Sequence, residues 1–149
     1  MKHLTYLFCY SSMKSDSQKD HPVLLFDGVC NLCNGFVQFV IQRDTKGLFR
    51  FTALQSDVGQ GLQKEFQLAP NQLDTVILIY QNKVYTHSDV ALQIAKQLGG
   101  LWSVFTLFSI IPKSSRDAIY NWIAKNRYRW FGKQEACMLP RPEWENRFL

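Results

Sequence analysis

The stretch Val23-Leu24-Leu25-Phe26-Asp27-Gly28-Val29-Cys30-Asn31-Leu32-Cys33 decides the fold. Four consecutive apolar residues read as a short strand buried on both faces, and Asp27-Gly28 ends it with a turn signal. From Cys30 to about Arg43 the period changes. Cys33, Phe36, Val37, Val40 and Ile41 recur at helical spacing and make one apolar stripe. Two thiols thus stand one turn apart where a strand hands over to a helix. At the helix N-terminus, unpaired N–H groups and the positive end of the macrodipole favour a thiolate at Cys30, while a carboxylate at Asp27 opposes it by a similar amount. Cys33, at i+3, is placed to attack a mixed disulfide formed by the first thiol. Its position on the stripe predicts a buried Cys33, and the first-turn position predicts an exposed Cys30.

Downstream, Phe49–Leu54 reads as a second strand and Ser56–Leu68 as a helix weakened by Gly59 and Gly61. Thr75–Gln81 is the strongest strand signal; the Asn82-Lys83 turn and Val84–His87 complete a hairpin. Ser88 is expected to cap a helix ending at Gly99-Gly100. Leu101–Phe131 reads as helical with an interruption at Pro112, followed by a polar tail holding Cys137, Pro140 and Pro142. The order is β-α-β-α-β-β-α plus a helical appendix. A right-handed crossover makes the first two strands parallel, and the hairpin adds an antiparallel pair. An α/β mixed sheet with helices on its faces, in this order, is the thioredoxin-like arrangement. Met1–Asp20 reads as a disordered tail, 21–100 as the core, and 101–149 as a helical extension and tail packed on that core.

The chain has 149 residues, enough for one domain with a proper core, and 46% are hydrophobic against 19% charged. Four cysteines, a close pair and two distant singles, fit a reducing compartment better than a disulfide scaffold, and the expected location is cytoplasmic. Leu4–Tyr10 is followed by no clean small-residue cleavage site. The apolar run Leu101–Ile111 falls short of the ~20 residues a spanning helix needs. The net charge is +5, much of it from Lys113, Arg116, Lys125, Arg127, Arg129, Lys133, Arg141 and Arg147. With Tyr128, Trp130 and Phe131 interleaved, this region reads as a solvated helix face with its aromatics turned to the core. No nucleic-acid motif accompanies it.

The motif Asp27-Gly28-Val29-Cys30-Asn31-Leu32-Cys33, with Tyr128-Arg129-Trp130-Phe131-Gly132 and Cys137 after it, resembles the DCC family of thiol–disulfide oxidoreductases, a thioredoxin-like group. Ser88-Asp89-Val90-Ala91 is a weaker third match, and the resemblance covers roughly His21 to Pro140. It implies protein-disulfide reductase activity and raises Cys137 to a candidate auxiliary thiol. One departure concerns the cis-proline that thioredoxins place before the third core strand, facing the dithiol. Asp74-Thr75 stands there in this chain, and Pro70 is too far upstream.

The expected reaction is attack by Cys30 on a protein or small-molecule disulfide, followed by resolution by Cys33. No cofactor is required, and a dithiol protein or glutathione supplies the electrons. Asp27 has two candidate roles: proton transfer to or from Cys33 through a water, or capping of the helix. An aspartate-nucleophile phosphatase is excluded, because its motif needs an aspartate where Leu25 stands. Two alternatives remain. Cys30 and Cys33 with Cys137 and His87 or His21 can be read as a zinc set, although structural sites usually draw on a second close pair. A non-enzymatic module can be read in Leu101–Ile111 and the basic C-terminal helices, binding a partner or, peripherally, a membrane surface. Cys9 reads as inert.

Overall fold

A computed structural model describes residues 21–69, 76–133 and 141–149. The first strand, β1 (Val23–Phe26), is the centre of the molecule, buried along its whole length. Its alternation serves two cores. Leu24 and Phe26 face one side, with Cys33, Val37 and Val40 of the helix α1 (Asn31–Arg43). Val23 and Leu25 face the other, with Leu54, Leu62, Ile77 and Ile79. A strand covered on both faces needs apolar residues at every position, which is why this segment shows no polar alternation.

β2 (Arg50–Ala53) pairs parallel to β1, Leu24 opposite Phe51. β3 (Ile77–Tyr80) pairs antiparallel on the other side, Leu24 opposite Leu78, and β4 (Lys83–Tyr85) closes the hairpin. The sheet order is β2-β1-β3-β4, a four-stranded mixed sheet of thioredoxin-like form. The hairpin turn is Gln81-Asn82, one residue earlier than the sequence suggests, because Tyr80 pairs with Lys83. Both turn residues have positive φ (49° and 62°), the twist a two-residue hairpin requires.

Helix α2 (Asp57–Glu65) is capped by Ser56, whose Oγ accepts the Gly59 N–H at 3.0 Å. Gly59 is there for space: a Cβ would run into the carbonyl of Ala53. Helix α3 (Ser88–Leu98) is not capped by Ser88. His87 occupies the cap position, and the Ser88 hydroxyl instead donates to Asp117 of α4 (Lys113–Phe131). Between α3 and α4 the chain forms an 11-residue 3₁₀ segment, Gly100–Ile110, before Pro112.

The end of the chain departs from the polar-tail expectation. After a 3₁₀ turn over Pro142–Arg147, Phe148 sets its ring against Phe26 and Phe51, and the Leu149 N–H bonds the Phe51 carbonyl at 2.8 Å. The outer edge of β2 is thereby covered, the usual remedy for an open strand edge. Trp144 and Phe148 pack on the core, and Arg147 between them turns inward to Asp44, while Glu143, Glu145 and Asn146 stay exposed. Pro70, Asp74, Thr75 and the 1–20 segment lie outside the described residues.

Candidate functional site

The turn from β1 into α1 is clamped on several sides. Asp27 Oδ1 accepts the Val29 N–H (3.2 Å) and the Gln55 amide (2.7 Å), while Gln55 Oε1 accepts the Gly28 N–H (3.1 Å). Asn34, one turn into α1, donates to the Gly28 carbonyl at 3.0 Å. Held this way, Cys30 becomes the N-cap of α1, and its Sγ accepts the Cys33 N–H at 3.4 Å. The cap is therefore a sulfur, and Asp27 makes its backbone bond within its own turn. Any negative charge that develops on Cys30 Sγ meets a helix N-terminal donor.

Both thiols are free, and both are buried: Cys30 is 0% exposed and Cys33 5%. The expectation of an exposed Cys30 is corrected here. The cover comes from a region about a hundred residues away. Gly132 and Lys133 lie across the start of α1, with a β-bridge between Cys30 and Lys133. The Asn31 N–H bonds the Gly132 carbonyl (3.4 Å), and the Asn31 amide donates to the Phe131 carbonyl (2.8 Å). Gly132 has φ +82°, which turns the chain out of α4 and over the thiol.

The same helix end delivers a cation. Arg127 is 6% exposed and reaches Asp27 Oδ2 at 3.3 Å, the Tyr128 hydroxyl at 3.1 Å and Cys33 Sγ at 3.8 Å. Tyr128 in turn donates a short hydrogen bond to Asp27 Oδ2. This reverses the expected orientation of the segment: the arginine is inside, while Trp130 and Phe131 are about half exposed. Arg127 and Tyr128 were not expected as site residues. Their signal was a cation at the helical spacing of Tyr120, Ile123 and Ala124, the residues that face α1 beside Cys33.

Protonation follows from these surroundings. Burial pushes the Cys33 thiol up to about 12, aided by its hydrogen bond and charge interaction with Cys30, with Arg127 pulling the other way. For Asp27, burial alone would raise the pKa. Hydrogen bonds from Tyr128, Gln55 and the Val29 N–H, with the Arg127 charge, outweigh it and hold the carboxyl below its ordinary value. Tyr128 is pushed up to about 12, first by burial and then by its bond to Asp27. At neutral pH the site is a protonated Cys33 and Tyr128 around an Asp27–Arg127 ion pair.

Two openings flank this group. A small, largely apolar cavity of about 170 Å³ touches Cys33 between Leu32, Phe36, Val90 and Ile123. A broader cleft of about 790 Å³ is lined by Tyr128 and the edges of the buried Asp27 and Arg127, beside Gln55, Gln60 and Gln63. His21 bonds the Leu48 carbonyl, and His87 sits against Thr86 and the Tyr120 ring. Among the described residues no three metal-ligating side chains gather. Cys137 and Cys9 lie outside the described residues.

Comparison with known proteins agrees with the geometry. The model of the DCC1-like thiol-disulfide oxidoreductase family matches residues 24–133, spanning both the dithiol turn and the Arg127–Lys133 cover. An uncharacterized protein, YuxK, of Bacillus subtilis is 50% identical over 135 residues, 91% of this chain and 98% of that protein. A DCC family protein of Arabidopsis thaliana, named as chloroplastic, is 39% identical over 119 residues, 79% of this chain and 69% of that protein. No solved structure matches the chain significantly. The chain belongs to the DCC1-like family of thiol–disulfide oxidoreductases.

Proposed function

We propose that the protein reduces disulfides through Cys30 and Cys33, with Cys30 attacking and Cys33 resolving. The observation that carries this is the asymmetry of the two sulfurs. Cys30 Sγ takes a backbone N–H at the helix start, whereas Cys33 is held as a thiol by burial. Cys30 thiolate attacks the substrate disulfide, forming a mixed disulfide and releasing one substrate sulfur, which takes up a proton. Cys33 then gives up its proton and attacks the Cys30 sulfur, releasing the second substrate thiol. The substrate gains two electrons and the enzyme is left with a Cys30–Cys33 disulfide. A dithiol protein or glutathione reverses that oxidation. Arg127 faces Cys33 Sγ and supplies positive charge as that proton leaves; the Asp27–Tyr128 pair holds the guanidinium in place.

Because Cys30 is covered, attack requires the Gly132–Lys133 strap to lift. Among the described residues the strap is tied to the start of α1 through the two Asn31 bonds and the Cys30–Lys133 bridge, with Lys133 over the Tyr128 ring. We place the reaction in the cytoplasm, where such reductants are abundant. No described helix is long and apolar enough to cross a membrane. Cys137 follows the strap in sequence, and we assign it an auxiliary exchange with Cys30. Trapping tests the order of attack. Cys33→Ser should accumulate a mixed disulfide on Cys30 with a model disulfide substrate, located by mass mapping, and Cys30→Ser should accumulate none. The reverse pattern reassigns the nucleophile, and no adduct in either variant removes the dithiol mechanism.

A further inference from the structure

We propose that the 3₁₀ segment Gly100–Ile110 and the outer side of α4 form a docking face for an anionic lipid bilayer. The inference stands on surface geometry alone and does not depend on the dithiol reaction. The segment reads Gly-Leu-Trp-Ser-Val-Phe-Thr-Leu-Phe-Ser-Ile, with no charge and none of its residues buried. Leu101 is 86% and Ile110 82% exposed, and Val104, Leu107 and Phe108 are each more than half exposed. At three residues per turn Leu101, Val104, Leu107 and Ile110 form one apolar strip, Trp102, Phe105 and Phe108 a second, and Ser103, Thr106 and Ser109 the polar third. An uncharged element with two apolar strips belongs against a core or lipid, and here the first strip lies on the outside.

The face is built rather than incidental. Trp102, Phe105 and Phe108 stack in a ladder (5.7 and 6.1 Å between ring centroids) and form one wall of an apolar groove of about 520 Å³. Ile119 and Ile123 of α4 form the other wall. The apolar strip continues along α4 through Trp122 and Trp130, whose rings meet edge to face at 4.9 Å. Beside it stand the exposed cations Lys125 and Arg129, one turn apart, with Lys133 beyond them. Among the described residues neither Lys125 nor Arg129 pairs with a carboxylate. Acids that touch α4 are engaged elsewhere: Asp27 with Arg127 and Tyr128, Asp89 with Lys113 and Arg116, and Asp117 with Ser88.

This combination selects the occupant. An apolar strip with a basic flank and tryptophans at its margin matches acyl chains, anionic headgroups and the interface between them. A second copy of the chain fits worse, because each copy carries a net charge of +5 and brings no excess of acid to meet the basic flank.

The test is co-sedimentation of the full chain with vesicles of phosphatidylcholine alone and of phosphatidylcholine with phosphatidylglycerol, at low and high salt. Binding is expected to the anionic vesicles only, with a blue shift of tryptophan emission, and to weaken with salt. Leu101→Glu with Leu107→Glu should abolish it; both side chains point outward, so the fold should be retained, as circular dichroism would verify. Lys125→Glu with Arg129→Glu should weaken it more than about 25-fold, at roughly 5-fold per basic charge. A chain that stays in the supernatant with both vesicle types overturns the proposal, and a concentration-dependent dimer in sedimentation velocity would then assign the face to a second copy. Equal binding to neutral and anionic vesicles, unaffected by either double variant, also overturns it.

Discussion

Two buried aspartate–arginine pairs stand at opposite ends of α1, and their difference separates site from scaffold. Asp27 precedes the helix and meets Arg127; Asp44 ends it and meets Arg147. Each pair ties the C-terminal third of the chain back to the first strand–helix unit. Asp44 spends its carboxylate on structure: Oδ2 accepts the Phe49 N–H at 2.9 Å as well as the arginine, fixing the approach to β2. Arg147 then bonds the Phe49 carbonyl. Asp27 holds a tyrosine and a glutamine, and its arginine reaches a thiol. The same ion pair is thus closed by backbone at one end of the helix and by reactive groups at the other. That is the contrast between a clasp and a reactive centre.

The largest expected effect comes from removing each arginine. Arg127→Ala and Arg147→Ala should each cost about 3–5 kcal/mol in denaturant unfolding, because each leaves a buried carboxylate without its counter-charge. Only Arg127→Ala should also shift the pH dependence of Cys33 alkylation to higher pH, since Arg127 opposes the upward push on that thiol. If both variants shift it, or neither does, the two pairs do not differ in the way the geometry says. Gly59→Ala is an intermediate test on the opposite face of the sheet. Its Cβ would meet the Ala53 carbonyl, and the unfolding free energy should fall by about 1–3 kcal/mol with alkylation rates unchanged. Gly132→Ala should strain the φ +82° strap and speed Cys30 alkylation, with about 1 kcal/mol lost from global stability. Unchanged Cys30 reactivity would mean that the strap is not what covers the thiol.

The remaining effects are in pH. Asp27 has a folded pKa below its ordinary 3.8, so its contribution is complete above 3.8 and is lost as pH falls from there through the folded value. Asp27→Asn should flatten that acid limb in stability measured against pH. Cys33 and Tyr128 are raised, from 9.0 and 10.0 to about 12, so each favours the fold below those starting values and loses that contribution as pH rises towards 12. Cys33→Ala should remove the part of this alkaline limb that begins near 9 and leave the tyrosine's part.

Much of this was legible in the chain. The run Val23–Phe26, the stripe of α1 and the hairpin specify a mixed sheet, because burial on two faces and on one face leave different periods. The location of the dithiol at the first β–α junction follows from the same reading. What local pattern does not contain is which distant residue covers it. Arg127 lies 100 positions from Asp27, and nothing in its neighbours distinguishes an inward arginine from a solvated one except the apolar stripe it shares. Cys30 looked exposed for the same reason: a first-turn residue is open unless another segment lies on it, and here Gly132 and Lys133 do. The 3₁₀ winding of Gly100–Ile110 is another such case, since its composition is equally compatible with an α-helix.

The distance between Cys30 and its cover also has a consequence for biosynthesis. The dithiol turn leaves the ribosome about a hundred residues before Arg127 and the strap, an interval of about 5–20 s at ordinary elongation rates. Throughout it the nascent chain carries two thiols beside an uncompensated Asp27. The cell therefore meets this protein first as an open dithiol, and only the finished chain can close it.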